Sequence, residues 1–380
     1  MIFVRGDGMK VCYTGGGTAG HIIPALAVAE ELRLELDAVG ASYEAFWIGT
    51  KDQAEKDMVE NAGIRFRSIP TGKLRRYLSW KNIADVFRIF AGICRSVAIL
   101  KNERPDVLFS KGGFASVPPV IAAWLLRIPS VTHESDVSTG LANRINARFV
   151  TTVCLSCEDA AKNVSRKQRW KTVVTGNPVR KELLRADPAH GRTFLHIDSD
   201  MPLILVLGGS QGALQINELV WDCLEALCGM AFVVHQTGSR TWKRVEHDRY
   251  LCMPFLHDEL YDIIAASSLV ISRAGAGTLA ELAALRRPML LLPLGTDASR
   301  GDQILNARRM EAVGAAKVLL RGDATKQRLL SDVWTIMSDA SLRERMSEAC
   351  AKVSVPDAAK KIACEISSAC KLPRNEVRGN

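Results

Sequence analysis

An α/β fold of two Rossmann-like domains, their parallel sheets facing a shared cleft, is what this sequence predicts. Three observations carry the prediction. A glycine-rich turn occurs twice, each time between a short apolar run and a helical pattern: Val11–Thr14 runs into Gly15-Gly16-Gly17-Thr18-Ala19-Gly20-His21, and Leu203–Leu207 runs into Gly208-Gly209-Ser210-Gln211-Gly212. Strand-like runs alternate with helical patterns along the chain, the mark of a parallel sheet covered on both faces. The length of 380 residues suits two domains.

Each element follows in order. The first domain opens with a strand at Lys10–Thr14, a helix over 22–38, a strand at Ala45–Ile48 and a helix over 52–61. Strands follow at Asp106–Phe109, Ser130–His133 and Thr172–Thr175. Val117–Leu126 is the longest apolar stretch, and its two prolines make it the start of a buried helix. The second domain reads as strand Leu203–Leu207, helix 213–228, strands Ala231–His235, Tyr250–Pro254 and Leu269–Ser272, helix 276–285 and strand Met289–Leu292. One helical pattern over roughly 340–370 closes the chain. Gly176–Arg180 and the polar stretch 185–201 read as the link between domains.

Composition narrows the class. Hydrophobic residues make up 47% and charged residues 24%, ordinary for a soluble globular protein. The ten cysteines lack regular spacing, so a disulfide framework is excluded and reduced thiols are expected. Cys154 and Cys157 form a C-x-x-C without the second pair that zinc needs or the thioredoxin-like context that redox chemistry needs. Met1–Lys10 has no apolar signal region, and Met9 is an alternative start. No run of about 18 apolar residues spans a membrane. The net charge of +9 is uneven, with +7 over residues 1–176 and +2 over the rest, so the first half expects an anionic surface partner.

A buried strand, a glycine turn and a helix start together make an anion site, because free N–H groups and the helix dipole point the same way. Two such sites imply a ligand with phosphates and a reaction between two bound molecules. Gly15–Gly20 also fits the dinucleotide pattern G-x-G-x-x-G, but the second strand, Phe46-Trp47-Ile48, ends in Gly49-Thr50 rather than the acid a ribose requires. A tight turn without ligand is the plain alternative. His21 falls in the first helical turn, where the dipole favours a neutral imidazole able to take a proton.

Gly208–Gly212 fits the G-x-S-x-G elbow of serine hydrolases as well, with Ser210 as nucleophile. The downstream candidates His235, His247 and His257 have no persuasive acid before them, and no HGGG segment appears. The rival reading makes Ser210 a hydroxyl donor to phosphate. Ser272-Arg273-Ala274-Gly275-Ala276-Gly277-Thr278-Leu279-Ala280-Glu281 follows an apolar strand. Its small residues admit a ligand to the backbone, and Glu281 can accept bonds from two sugar hydroxyls or be a solvated helix residue. Pro293–Gly295 and Ser299–Asn306 form a loop suited to hydroxyl-rich ligands or an ordinary polar connection. Asp198-Ser199-Asp200 matches a metal-binding D-x-D but precedes a strand, so it reads as a turn. Lys73–Arg104 mixes basic residues with Tyr77, Trp80, Phe87 and Phe90, which suits a helix lying on anionic lipid. A core helix with solvated charges is the alternative for 82–100. No nucleic-acid module is present.

Together, GGGTAGHIIPALAVAEEL, GGFASVPPVIAA, PSVTHESDVSTGLANR, GNPVR, LGGSQGA, SRAGAGTLAELAA and ASRGDQILNA run in one order from about residue 10 to 315. In this the chain resembles the peptidoglycan N-acetylglucosaminyltransferases that convert lipid I to lipid II. The resemblance implies the glycosyltransferase B fold, UDP-N-acetylglucosamine as donor, undecaprenyl-diphosphate-linked N-acetylmuramoyl-pentapeptide as acceptor, and no cofactor or metal. It implies a peripheral protein on the cytoplasmic face of a bacterial membrane. Residues 1–178 would bind acceptor and membrane, with a terminal helix of about 358–380 packing back on them, and 179–357 would bind the UDP-sugar. By motif, Thr18, Ala19 and Gly20 would meet the donor sugar and acceptor side. Arg180 and Ser210 would hold the diphosphate, and Leu256 would frame the uracil by its backbone. Ala276, Gly277, Thr278, Leu279, Ala280 and Glu281 would cradle phosphate and ribose, and Gln303 would bind sugar hydroxyls beside Asp302. Where the family often has His-Glu-Gln-Asn, this chain has His133-Glu134-Ser135-Asp136. Asp136 can accept the same hydrogen bond as an Asn but cannot donate one, and it adds charge near a diphosphate. The implied reaction is an inverting single displacement, with His21 as first choice of base and Glu134 as second. A glycolipid synthase using a UDP-hexose and diacylglycerol is the alternative within the same chemistry.

Overall fold

The computed structural model describes residues 8–17, 19–72, 80–198, 200–209, 212–296 and 301–371. The chain divides into two compact units, Met1–Arg180 with Asp357–Asn380, and Lys181–Pro356.

The first unit runs β1 (Gly8–Thr14), α1 (Ala19–Asp37), β2 (Ser42–Gly49), α2 (Gln53–Asn61), β3 (Arg65–Ser68), α3 (Trp80–Glu103), β4 (Val107–Ser110), α4 (Val117–Leu125), β5 (Ser130–Glu134), α5 (Leu141–Asn146), β6 (Thr152–Leu155), α6 (Glu158–Lys162) and β7 (Thr172–Val174). Its strands form one parallel seven-stranded sheet in the order β3-β2-β1-β4-β5-β6-β7. β4 and β5 are buried along their whole length, as strands covered on both faces must be. Asp52 caps α2 by accepting from Glu55 N at 3.1 Å.

The second unit runs α7 (Pro188–Leu195), β8 (Leu203–Leu207), α8 (Leu214–Asp222), α9 (Leu224–Met230), β9 (Phe232–Gln236), β10 (Tyr250–Met253), α10 (Leu260–Ala266), β11 (Leu269–Ser272), α11 (Ala276–Ala284), β12 (Met289–Leu291), α12 (Asp302–Ala312), β13 (Ala316–Val318), α13 (Lys326–Ser338) and α14 (Ala340–Val353). Its parallel sheet has six strands in the order β10-β9-β8-β11-β12-β13. α15 (Ala358–Cys370) closes the chain.

Three expectations change. The polar stretch 185–201 is not all linker, because α7 lies in it. Asp187 caps that helix, accepting from Ala189 N at 2.9 Å, and Gly191 lets it press on α10, where a Cβ would lie 2.5 Å from Asp262 O. Leu195 enters the core, so the segment looks polar only because one face of a short helix is apolar. The single helix over 340–370 is two, α14 and α15, parted at Pro356, which has no amide hydrogen to continue a helix. α15 places Ala359, Ile362, Ala363 and Ile366 in the same core as Val28, Leu32 and Leu36 of α1. The helix over 213–228 is also two, divided at Cys223. Among the described residues no helix is long and apolar enough to cross a membrane.

Candidate active site

In an open parallel sheet, ligands bind beyond the carboxyl ends of the strands where the strand order reverses. That reversal falls between β1 and β4 in the first unit and between β8 and β11 in the second. Both glycine motifs stand there. Gly15–Gly17 leaves β1 beside Lys111-Gly112-Gly113 leaving β4, and Gly208-Gly209 leaves β8 beside Arg273-Ala274-Gly275 leaving β11.

At the first site, Gly16, Gly17 and Gly113 are required by protein neighbours. A Cβ on Gly16 would lie 2.7 Å from Glu55 Oε1. Gly17 has φ +94°, and a Cβ there would lie 2.6 Å from the Phe114 ring. A Cβ on Gly113, at φ +80°, would lie 2.5 Å from Gly16 O and 3.1 Å from His21 Cδ2. The two loops therefore interlock, with the His21 ring lying over Gly113. Glu55 is the hidden part of this floor. Its carboxylate accepts from Trp47 Nε1 (3.1 Å), Thr50 N (3.2 Å) and Thr50 Oγ1 (2.6 Å). Burial pushes its pKa up, against the pull of those donors. His21 is the third residue of α1 and partly exposed. Pro24 removes the N–H that would bond Gly20 O within the helix. Gly20 is exposed, Ala19 is described by its backbone alone, and Thr18 lies outside the described residues.

At the end of β5, Glu134 is buried and anchors the loop that follows. Oε1 accepts from Asp136 N (3.1 Å), and Oε2 from Gly140 N and Asn143 Nδ2 (both 3.0 Å). Burial and the Asp136 charge raise its pKa, while the three donors lower it. Below lies a buried hydroxyl and amide network. Thr132 Oγ1 donates to Asn143 Oδ1 (3.1 Å), and Asn146 Nδ2 donates to Ser116 Oγ (2.8 Å) and Ser110 Oγ (3.2 Å). His133 Nε2 is 2.8 Å from Gly176 O, and Asn177 Nδ2 donates to Ser135 O at 3.1 Å. Burial first, then the Lys111 charge, holds His133 neutral, so its Nε2–H is the donor. These bonds fasten the GNPVR segment to β5. Arg180 at its end is exposed, and Asp136 is partly so.

The second unit is built differently. Gly208 and Gly212 are tight against backbone: a Cβ would lie 2.6 Å from Ala213 N and 2.2 Å from Thr237 O respectively. Gly209 (φ +79°) and Gly277 would project a Cβ into open space, with nothing among the described residues within 4 Å. α11 begins behind Gly275 with no side-chain cap. An uncapped helix start with bare glycines is where an anion can approach N–H groups. Gln236 ties two loops together, donating from Nε2 to Gly209 O (3.4 Å) and accepting at Oε1 from Leu256 N (3.0 Å). Leu256 therefore has only its carbonyl to offer a base. Leu279 is buried and its N–H bonds Gly275 O (3.0 Å), so it supports the loop from the core. Ala276, Thr278, Ala280 and Glu281 are partly exposed. Gln303 Oε1 accepts from Leu294 N (3.0 Å), which leaves its amide N–H₂ as the donor group. Arg273 is braced by Gln215 Oε1 (3.1 Å) and Leu292 O (2.8 Å). Ser210 lies outside the described residues.

Two of the three histidines that the hydrolase reading could use are engaged elsewhere. His235 is buried, with ring nitrogens 2.8 Å from Tyr250 OH and 3.0 Å from Asn217 Oδ1, and burial lowers its pKa to about 3. His247 Nδ1 accepts from Arg249 N at 3.0 Å. Asp198 O accepts from Met201 N (3.3 Å) and Arg192 Nη1 (2.8 Å), so Asp198 sits in a pinned turn.

α3 sends Ile99 and Leu100 into the core but turns its phenylalanines outward. Phe87 is 70% and Phe90 65% exposed, beside Val86 and Arg88. Its inner face uses Gly92 and Ser96, and a Cβ on Gly92 would lie 2.4 Å from Pro70 O. The core-helix reading of 82–100 therefore holds for Ile99 and Leu100 but not for Phe87 and Phe90, because small residues are the ones needed at close approach. Lys73–Ser79 lie outside the described residues.

Sequence reasoning missed Glu55, Lys111, Asn143 and Gln236, all buried polar residues whose partners are brought to them by folding. Thr50 followed by Glu55 after a strand ending in glycine was the local signal available for the first.

Comparison with known proteins agrees with this geometry. Residues 11–155 match the glycosyltransferase family 28 N-terminal domain and residues 203–362 the family 28 C-terminal domain. A Treponema pallidum protein is 42% identical over 369 residues, covering 94% of this chain and 95% of its own. A Lachnospira eligens protein is 41% identical over 332 residues, covering 87% and 91%. Both are named UDP-N-acetylglucosamine–N-acetylmuramyl-(pentapeptide) pyrophosphoryl-undecaprenol N-acetylglucosamine transferase. The crystal structure of Acinetobacter baumannii MurG is similar over 95% of this chain and 99% of its own, with a TM-score of 0.73 at 24% identity. UDP-GlcNAc 2-epimerase from Neisseria meningitidis, bound to UDP-GlcNAc, has a TM-score of 0.66 at 15% identity, over 93% and 98%. At such identities the two structures speak for the fold.

Proposed function

Since the chain belongs to glycosyltransferase family 28, we propose that its two switch-point sites carry out the transfer its relatives are named for. N-acetylglucosamine passes from UDP-N-acetylglucosamine to the C4 hydroxyl of undecaprenyl-diphosphate-linked N-acetylmuramoyl-pentapeptide, converting lipid I to lipid II. The observation that carries this reading is the uncapped start of α11 with Gly277 open, next to Gly209, where the six-stranded sheet reverses its order.

In the reaction the acceptor C4 oxygen attacks the anomeric carbon from the face opposite the diphosphate. The C–O bond to UDP breaks with its electron pair, and configuration inverts. The charge on UDP is met by N–H groups at Ala276–Thr278, with Arg180 and Ser210 on the diphosphate. Glu281 accepts from the ribose hydroxyls, the Leu256 carbonyl meets the uracil, and the Gln303 amide donates to the sugar. Thr18, Ala19, Gly20 and Asp136 meet the sugar and acceptor side. His21 takes the C4 proton: its ring is partly exposed, whereas both Glu134 oxygens are committed to loop donors. Two hydrogen bonds to a carboxylate are worth about 1.5–3 kcal/mol each. Glu281→Ala therefore raises the KM for UDP-N-acetylglucosamine by about 10²–10⁴-fold, and an unaltered donor KM refutes the ribose assignment.

The acceptor's lipid brings the enzyme to a membrane surface, at the cytoplasmic face where a nucleotide sugar is supplied. The exposed Phe87 and Phe90 with Arg88 and Arg95 on α3 suit insertion at the edge of an anionic bilayer. Phe87→Ser with Phe90→Ser lowers co-sedimentation with anionic vesicles by about 10–100-fold; undiminished binding places the contact elsewhere. The function itself is tested by turnover of labelled UDP-N-acetylglucosamine with a lipid I analogue, run beside diacylglycerol and UDP-glucose. Product from the latter pair alone would overturn the reading.

A further inference from the structure

Lys111 is 1% exposed, and the reaction as described uses no lysine. It opens the loop that leaves β4 beside Gly15–Gly17. Its N–H donates to Thr14 O at 2.9 Å, and its Cβ would lie 3.2 Å from a Cβ on Gly15. Its ammonium donates to Ser135 Oγ, the residue between Glu134 and Asp136. A lysine stripped of water is unfavourable unless carboxylates compensate it. Here burial lowers the Lys111 pKa to about 8, while the charges of Glu134 and Asp136 hold it up. The same cluster contains His133, which Lys111 helps keep neutral. Glu134 is occupied with the loop behind it, whereas Asp136 is partly exposed. Where Asp136 meets the donor sugar, as proposed above, its carboxylate opposes the nucleotide diphosphate unless a cation cancels it.

We propose that Lys111 is a positioning residue for donor recognition: through Ser135 it holds Asp136 in place, and its charge offsets the carboxylate that would otherwise repel the diphosphate of the sugar nucleotide. The inference rests on the reading of Asp136 as a donor-sugar contact. Lys111 touches no substrate; it acts through the 134–136 segment.

The test is a double-mutant cycle on the full chain, with Lys111→Met, Asp136→Asn and the pair. KM for UDP-N-acetylglucosamine and kcat with a lipid I analogue are measured, together with melting temperatures. Lys111→Met raises the donor KM more than it lowers kcat. Adding Asp136→Asn to it recovers about tenfold in kcat/KM, the size expected of coupled contacting groups. Losses that simply multiply in the double variant overturn the proposal, since a lysine with a merely structural role would not be rescued by removing a charge at 136. If Lys111→Met alone does not fold, the double variant is expected to fold and turn over; a double variant that is also unfolded overturns the proposal. A wild-type chain that does not turn over UDP-N-acetylglucosamine refutes the functional reading instead. The pairing of Lys111 with Asp136 is then judged by melting temperatures, which must be non-additive for it to stand.

Discussion

Replacing His21 by alanine lowers kcat by about 10²–10⁴-fold, the range for loss of a general base, and leaves the dissociation constant of UDP-N-acetylglucosamine unchanged. The separation follows from where the residue stands. His21 belongs to the first unit, with its ring over Gly113, while the groups proposed for phosphate, ribose and uracil, apart from Arg180, stand in the second. A base acts on the acceptor hydroxyl only as the bond forms, so its loss appears in the chemical step. Steady-state kinetics beside a direct nucleotide titration distinguish the cases. Wild-type kcat in His21→Ala removes it as base, and a parallel fall in donor affinity makes it a binding residue.

Gly212→Ala and Gly277→Val are expected to fail in opposite ways. At Gly212 the backbone has φ +79°, and a Cβ would lie 2.2 Å from Thr237 O, which is main chain and cannot swing aside. Left-handed strain and overpacking together cost about 3 kcal/mol. For a unit of this size that lowers Tm by about 6–12 °C. At Gly277 no atom of the described residues lies within 4 Å of the added Cβ, and valine is a better helix residue than glycine. Tm is therefore held or raised. Donor affinity falls by about 10–100-fold, because the branched side chain occupies the space through which phosphate reaches the N–H groups of α11. Melting curves and nucleotide titration on both variants check the pair. A Gly277→Val protein with full donor affinity would mean that the phosphate lies elsewhere.

Much of the architecture was legible because it is written in local chemistry. Buried strands such as Leu203–Leu207 read as unbroken apolar runs, and the turns after β1 and β8 announce themselves by glycine. β3 reads Arg-Phe-Arg-Ser and gave no such signal. It is a strand because Phe66 pairs beside Trp47 of β2, and because Glu103 at the end of α3 gathers Lys10 (2.8 Å), Arg67 (3.0 Å) and Arg65 (3.3 Å). Those partners are up to about ninety residues apart. α7 reads as linker in the sequence because eight residues with one apolar face look like a loop until α10 is there to cover them.

Sequence alone determined the two glycine turns, the alternation that makes parallel sheets, and the motifs that place the chain in its family, because these depend on residues near each other in the chain. Only the tertiary structure decided which glycines clear protein and which leave room for a ligand. It also decided that Glu134 anchors a loop, that Phe87 and Phe90 face outward, and that a buried lysine stands behind Asp136. A side chain's chemistry depends on what lies across from it, and that neighbour is chosen by folding rather than by spacing.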